Sequence, residues 1–375
     1  MVSRPLIAVT ANESWNLLNF RRGLISALLQ DGFDVLAIAP LDEPLVARLQ
    51  GMGCRFEPIP VDPAGIHPWR EIKTLWAYWH VVRRNRPAAI LSWTIKPNIY
   101  GALVAGAAGA VALPNVSGLG TAFMRPGILK FFARLLYRVA FKRAKTVFFQ
   151  NGDDLGLFVR SGLVAKEKAI LLPGSGVDVA AFSPPSGGRP AAGHFLMIAR
   201  LIADKGVREF VQAARSAKQS RKDLRFTIMG QVNVRNRTAI SLQELQEWID
   251  EGVVEYREPA DDIRPAIASA DFVVLPSYRE GLSRVLLEAG AMGRPSITCD
   301  VPGCRDLIKD GWNGFLCAPR DALSLRNAIL RAASVSEVQW RTMSEASRAT
   351  VVEGFSERSV IQAYREALCR CGVIA

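Results

Sequence analysis

The chain has 375 residues, 49% hydrophobic and 22% charged, with 30 Gly and 21 Pro, which excludes a disordered, collagen-like or disulfide-scaffold protein. That length exceeds what one core usually organises, so two domains are expected. Lys and Arg number 47 against 35 Asp and Glu, a formal net charge of +12, which points to an acidic partner: a phosphate-rich substrate, nucleic acid or an anionic membrane surface.

The chain opens on Leu6–Thr10, which reads as a strand and not as a signal peptide. Helical spacing over Leu17–Asp31 follows, then a strand at Asp34–Ala39, a helix at Leu45–Met52 and a strand at Arg55–Pro60. Ile72–Arg84 predicts a helix, Ala88–Ser92 a strand, Tyr100–Gly109 a helix and Ala110–Val116 a strand. Ile128–Lys142 is again helical and Thr146–Gln150 a strand. Strands rich in Val, Ile and Ala that alternate with helices imply a parallel sheet covered on both faces. Gly174 through Pro190 is rich in Gly, Pro and Ser and reads as a linker. The alternation then restarts, with strands at Phe195–Ile198, Arg225–Met229, Val253–Tyr256, Phe272–Leu275 and Ser296–Thr298. Helices are expected at Gly206–Lys218, Ser241–Glu251, Asp261–Ser269 and Ser283–Met292.

The fold class is therefore α/β, with two doubly wound, Rossmann-like domains and an interdomain cleft. The expected domains are 1–182, facing acceptor and membrane, and 183–375, binding the nucleotide, with the last helix free to pack back on the first domain. In such sheets ligands sit beyond the carboxyl ends of the strands. No G-x-G-x-x-G follows the first strand, and no G-x-x-x-x-G-K-[ST] occurs, so nicotinamide chemistry and P-loop hydrolysis lose their sequence support.

Charge is uneven. Residues 1–182 hold 21 basic and 12 acidic side chains, and 101–152 contains no Asp or Glu. Lys130, Arg134, Arg138 and Lys142 recur every four residues and share one helix face. That helix, with Phe131, Phe132, Leu135, Leu136 and Val139 elsewhere on it, could dock on anionic lipid or could be a solvated face over a core. Trp69, Trp76 and Trp79 suit an interfacial anchor or plain packing, packing being the commoner use. Six Cys without a C-x-x-C read as reduced thiols, and three scattered His give no metal site.

Two segments carry the chemistry. In Met197-Ile-Ala-Arg200-Leu-Ile-Ala-Asp-Lys205-Gly206, two cations follow a strand and a Gly precedes a helix. Arg can fork onto two diphosphate oxygens and Lys adds a point charge. In Pro276-Ser-Tyr-Arg-Glu280-Gly281-Leu282-Ser283, continuing to Glu288-Ala289, a strand turns at Gly281 and opens a helix. Glu280 and Glu288 can reach different parts of one extended ligand, while the backbone N–H groups at Gly281–Ser283 can meet a phosphate. Taken singly, each charged residue also fits an ordinary surface role.

Together with Gly311-x-Asn313-Gly314-Phe315, Val177-Asp178, Ile95-Lys96-Pro97-Asn98 and Val116–Phe123, these segments resemble the family 4 nucleotide-sugar glycosyltransferases. The branch that acts on undecaprenyl-diphosphate-linked glycans, such as N-acetylgalactosaminyltransferases, is the most similar. The resemblance implies GT-B architecture, retention of configuration and no metal or other cofactor. Arg200 and Lys205 would hold the donor diphosphate, and Glu280 would bind the donor sugar and shield charge developing at C1. Glu288 would bind ribose; Gly281, Leu282 and Ser283 would supply backbone N–H groups; Arg257 and Glu258 would lie at the base. Asn16, Lys96 and Ser117 would bind substrate in the first domain. The turn from Asn12 to Asn16 lacks the family's usual Gly pair, and Ser117 leaves no strong base beside Gly118. The implied partners are a UDP-sugar, a lipid-linked glycan acceptor and an anionic membrane surface, with no specific nucleic acid. The implied location is cytoplasmic, peripheral on the inner membrane. A sugar-nucleotide 2-epimerase and a catalytically silent binding subunit are the alternatives on the same architecture.

Overall fold

The computed structural model of the chain describes residues 4–62, 65, 67–119, 128–234 and 236–375. They form two compact units, Met1–Ser175 with Glu357–Ala375, and Gly176–Ser356.

In the first unit the strands are β1 (Leu6–Thr10), β2 (Asp34–Ala39), β3 (Arg55–Pro58), β4 (Ala89–Trp93), β5 (Val111–Val116), β6 (Val147–Phe149) and β7 (Ala169–Leu171). They make a parallel sheet in the order β3-β2-β1-β4-β5-β6-β7. The helices between them are α1 (Ser14–Gln30), α2 (Glu43–Gly51), α3 (Pro68–Asn85), α4 (Ile95–Ala108), α5 (Ile128–Arg143) and α6 (Gly152–Arg160). Side chains alternate across the sheet, as the pleat requires. Ala8, Leu36, Ile38 and Ile90 face a core shared with Tyr78 of α3, Tyr100 of α4 and Tyr137 of α5. Ile7, Val9, Val35, Ala37 and Leu91 face the other, shared with Leu24 and Ile25 of α1.

The second unit holds β8 (His194–Ile198), β9 (Arg225–Met229), β10 (Glu255–Arg257), β11 (Phe272–Leu275), β12 (Ser296–Cys299) and β13 (Gly314–Cys317). Their order is β10-β9-β8-β11-β12-β13, all parallel. The accompanying helices are α7 (Val207–Ser220), α8 (Leu242–Asp250), α9 (Arg264–Ser269), α10 (Arg284–Ala291), α11 (Ala322–Ala333) and α12 (Glu337–Gly354). Side-chain caps fix several starts: Ser241, Ser283 and Asp321 each accept the N–H three residues on, and Ser336 with Gln339 forms a capping box. The final helix, α13 (Glu357–Arg370), belongs to the first unit. There Tyr364 packs against Phe148 at 4.6 Å and Trp93 at 6.0 Å, and its hydroxyl accepts from Asn115 Nδ2 at 2.9 Å.

Two expectations are corrected. The division falls at 175/176, ahead of the expected 182/183, and most of the supposed linker packs into the second unit. Val177 is fully buried, Arg348 donates to the carbonyls of Val179 and Phe182 (2.9 Å each), and Arg189 forms a bidentate pair with Asp271 (2.9 Å each). Gly and Pro gave that stretch loop composition, but long-range Arg contacts decided where it lies. Two of the three tryptophans are not packed as expected either: Trp69 and Trp76 are 75% and 65% exposed, whereas Trp79 is partly buried against the core of Tyr78 and Tyr100. Among the described residues no helix is long and apolar enough to cross a membrane.

Candidate functional site

In the second unit the chain winds from β8 outward through β9 to β10, then jumps back to β11 and winds the other way. The order reverses between β8 and β11, and a crevice at the carboxyl ends of such a pair is where doubly wound sheets take ligands. Both segments singled out in the sequence lie there. Arg200 and Lys205 follow β8; Glu280, Gly281, Leu282 and Ser283 follow β11.

Backbone contacts draw the two loops together. Gly206 has φ +74°, and a Cβ there would come within 2.2 Å of the Pro276 carbonyl oxygen, so the β11 loop crosses directly over it. Tyr278 N–H donates to Asp204 C=O at 3.0 Å, and Glu280 N–H to Pro302 C=O at 3.3 Å. The result is a Lys205 Nζ–Glu280 Oε1 contact of 2.5 Å, with the side chains 22% and 13% exposed. The guanidinium of Arg200 is exposed and has no hydrogen-bond or ion-pair partner among the described residues.

Glu288 lies on α10, buried, its Oε1 accepting from Arg284 Nε at 2.7 Å. Burial pushes its carboxyl upward in pKa, with the Arg284 charge and hydrogen bond opposing. Arg284 also donates to the Gly176 carbonyl at 3.0 Å. Ser283 caps α10, and its own N–H is already given to Gly303 C=O at 3.3 Å. A ligand would have to compete for that donor. Arg257 and Glu258 lie at and beyond the end of the edge strand β10, both exposed, with Glu258 Oε2 accepting from Tyr256 Oη at 3.3 Å.

In the first unit the order reverses between β1 and β4. Asn16 follows β1, Lys96 follows β4, and Ser117 follows β5, so all three lie at carboxyl ends of neighbouring strands. Asn16 Oδ1 is buried without a hydrogen-bond partner among the described residues. Lys96 Nζ is engaged by the carbonyls of Asp62 and Gly65 (2.7 Å each) and by Glu71 Oε1 (2.5 Å), and Glu71 Oε2 accepts from Tyr100 Oη at 2.5 Å. Its three donors therefore tie the segment before α3 to the first turn of that helix. Thr94, between β4 and Lys96, has φ +70°, a strained value for a β-branched residue. Of the motif at 116–123, residues 120–123 lie outside the described residues, as do Arg125 and the side chain of Lys130.

Sequence reasoning missed a group that braces the β11 loop. Tyr278 Oη donates to Glu209 Oε1 at 2.6 Å, and the Arg320 guanidinium lies 4.6 Å from the Tyr278 ring centre. Arg320 has φ +61°. These residues are far apart in sequence, so no local spacing announced them. Among the described residues no three His, Cys, Asp or Glu side chains cluster as metal ligands would.

Residues 19–175 match the glycosyl transferase 4-like domain, and 192–334 match the glycosyl transferases group 1 model. The chain is 27% identical to N,N'-diacetylbacillosaminyl-diphospho-undecaprenol alpha-1,3-N-acetylgalactosaminyltransferase of Campylobacter jejuni, covering 86% of this chain and 88% of that one. It is 24% identical to UDP-Gal:alpha-D-GlcNAc-diphosphoundecaprenol alpha-1,3-galactosyltransferase of Escherichia coli, covering 88% and 87%. Among solved structures, HepE of Anabaena in complex with UDP superposes with a TM-score of 0.77 at 18% identity, over 98% of this chain and 100% of that one. Sucrose-phosphate synthase of Thermosynechococcus elongatus gives 0.79 at 18% identity, over 98% and 100%. These likenesses show the two-sheet GT-B fold.

Proposed function

The chain belongs to the glycosyltransferases, its first unit 4-like and its second of group 1, and from that premise we propose that it moves a hexose or N-acetylhexosamine from a UDP-sugar to a polyprenyl-diphosphate-linked glycan with retention. The observation that carries this reading is the pairing of Lys205 with Glu280 at the β8/β11 reversal. A cation for the diphosphate and a carboxylate for the sugar stand side by side there.

The chemistry follows from charge. The C1–O bond to the diphosphate breaks while a bond from C1 to the acceptor oxygen forms. Negative charge grows on the departing phosphate, where Lys205 and Arg200 stabilise it. Positive charge grows at C1, where Glu280 shields it. The departing phosphate oxygen takes the acceptor proton, and attack comes from the face it leaves, which retains configuration. Glu288, paired with Arg284, would receive the ribose hydroxyls.

Relatives named for diphospho-undecaprenol substrates make a lipid-linked acceptor the favoured substrate. Two helices of the first unit support membrane docking. α5 buries Ala133, Tyr137, Ala140 and Phe141 on one side, yet exposes Phe131 (65%), Phe132, Leu135, Leu136 and Val139 on the other. Arg134, Arg138, Lys142 and Arg143 flank that outer ridge. α3 exposes Trp69, Ile72 and Trp76, and both helices pack on α4. Apolar side chains rimmed by cations suit an anionic lipid interface.

The test is release of UDP from UDP-sugars with and without a diphospho-undecaprenol-linked acceptor. Acceptor-dependent release, lost by at least a hundredfold in Lys205→Ala, is expected. UDP release that ignores acceptor, or isomerisation of the sugar nucleotide without transfer, would overturn the reading. For docking, co-sedimentation with phosphatidylglycerol vesicles should fall in Arg134→Ser/Arg138→Ser/Lys142→Ser and in Phe131→Ser/Phe132→Ser. Binding equal to wild type in both variants would refute it.

A further inference from the structure

Lys205 and Glu280 are held from both sides. Gly206 and the Tyr278-to-Asp204 bond fix the lysine's turn, while the Glu280-to-Pro302 bond fixes the carboxylate's. Gly303, φ +78°, reinforces this: a Cβ there would lie 2.6 Å from the Glu280 carbonyl oxygen, so the chain packs closely over the backbone of Glu280. These contacts fix the backbone of Glu280, so the carboxylate can leave Lys205 only by rotating its own side chain and giving up the ion pair. A diphosphate drawn to Lys205 therefore meets the negative charge paired with that ammonium.

The donor and the leaving nucleotide differ in what they bring to that charge. A sugar nucleotide carries a pyranose whose hydroxyls can donate to Glu280 once its hold on Lys205 is shared. A free nucleoside diphosphate has no such donors. Its terminal phosphate also bears up to about one further negative charge near neutral pH, because a phosphate monoester's second ionisation lies near pH 6. One carboxylate thus stabilises the first ligand and repels the second, and the low exposure of the pair keeps solvent from screening the difference.

We propose that Glu280 sets this site's preference for the sugar nucleotide over the nucleoside diphosphate, and so hastens departure of the nucleotide after transfer. The proposal rests on Lys205 being the diphosphate cation; it is independent of which sugar is carried and of the acceptor.

The experiment is calorimetric titration of the full chain with UDP, UMP and three UDP-sugars (UDP-glucose, UDP-galactose and UDP-N-acetylgalactosamine). UMP lacks the phosphate that would reach Lys205. Glu280→Gln should bind UDP about five- to tenfold more tightly than wild type, as expected for removing one nearby charge in a partly screened site. UMP should bind both equally, and no UDP-sugar should gain. UDP should also become the stronger product inhibitor in the variant. An unchanged UDP affinity, or equal changes for UDP and UMP, would overturn the proposal; the second pattern would mark a purely structural residue. Should Glu280→Gln not fold, wild type alone decides. It should bind its best UDP-sugar at least as tightly as UDP, and UDP binding tenfold tighter than every UDP-sugar would refute the idea. A wild type that binds no uridine nucleotide would instead defeat the donor-site reading, and this inference with it.

Discussion

His194 opens β8 fully covered, its Nδ1 2.8 Å from the Ser269 carbonyl and its Nε2 2.9 Å from Thr227 Oγ1. Burial lowers its pKa below the ordinary value, with the Ser269 hydrogen bond opposing. A depressed His binds its proton less readily folded than unfolded, so its contribution is intact above the unfolded pKa of about 6.5 and is lost as pH falls toward the folded one. The thermal midpoint should drop as pH is lowered from 7 to 5.5, and His194→Gln should flatten that slope; identical slopes would refute the assignment. Tyr278 offers a second test. Tyr278→Phe strips Glu209 Oε1 of its 2.6 Å donor, while Oε2 already lacks a partner among the described residues. A loss of about 1–3 kcal/mol in urea unfolding is expected, with kcat falling more than KM rises because Lys205 and Glu280 lose alignment. Lys205, Glu280 and Glu288 were legible in the sequence because strand, turn and helix signals bracketed them. The engagement of Lys96 by two carbonyls and of the Ser283 N–H by Gly303 was not, because both partners come from other loops.

At the scale of elements, apolar periodicity located nearly every strand of the first unit but not the use of each helix face. α5 is apolar on two sides, so periodicity alone could not say which side meets the core. The structure assigns Ala133, Tyr137 and Phe141 inward and the Phe131–Val139 ridge outward. The two sides should respond differently to substitution. Tyr137→Ala should cost about 3–5 kcal/mol, as large aromatics do when removed from a core. Phe132→Ser should change stability by less than about 0.5 kcal/mol, as exposed positions do. Urea titrations of both variants check this, and equal losses would contradict the orientation. α6, β7, β13, α11 and α12 were absent from the expected elements. α6 carried a readable start, since Asn151 accepts the Asp154 N–H at 2.8 Å, whereas β13 is only Gly314–Cys317 and gains its strand character by pairing with β12.

Over the whole molecule, the doubling of an α/β pattern and the restart after residue 190 made two domains legible. Their exact membership was not. Contacts of Arg189, Arg264 and Arg348 with distant backbone or carboxylates draw 176–190 into the second unit. α13 joins the first unit through Val360, Tyr364, Ala367 and Leu368, which share the core with β1, β2 and β4. The first unit is thus discontinuous in sequence while the second is not. A fragment spanning 176–356 should therefore give a cooperative unfolding transition by itself. A fragment spanning 1–175 should not, and adding 357–375 as a separate peptide should rescue it; a cooperative transition in 1–175 alone would overturn this. During synthesis the order of completion is inverted. The ribosome makes the first unit's sheet early, but its core stays open until α13 emerges, so the later-made unit can finish folding first. Until then the finished sheet lacks the cover that Val360, Tyr364, Ala367 and Leu368 supply, and a stop placed before α13 would destabilise the unit at the opposite end of the chain.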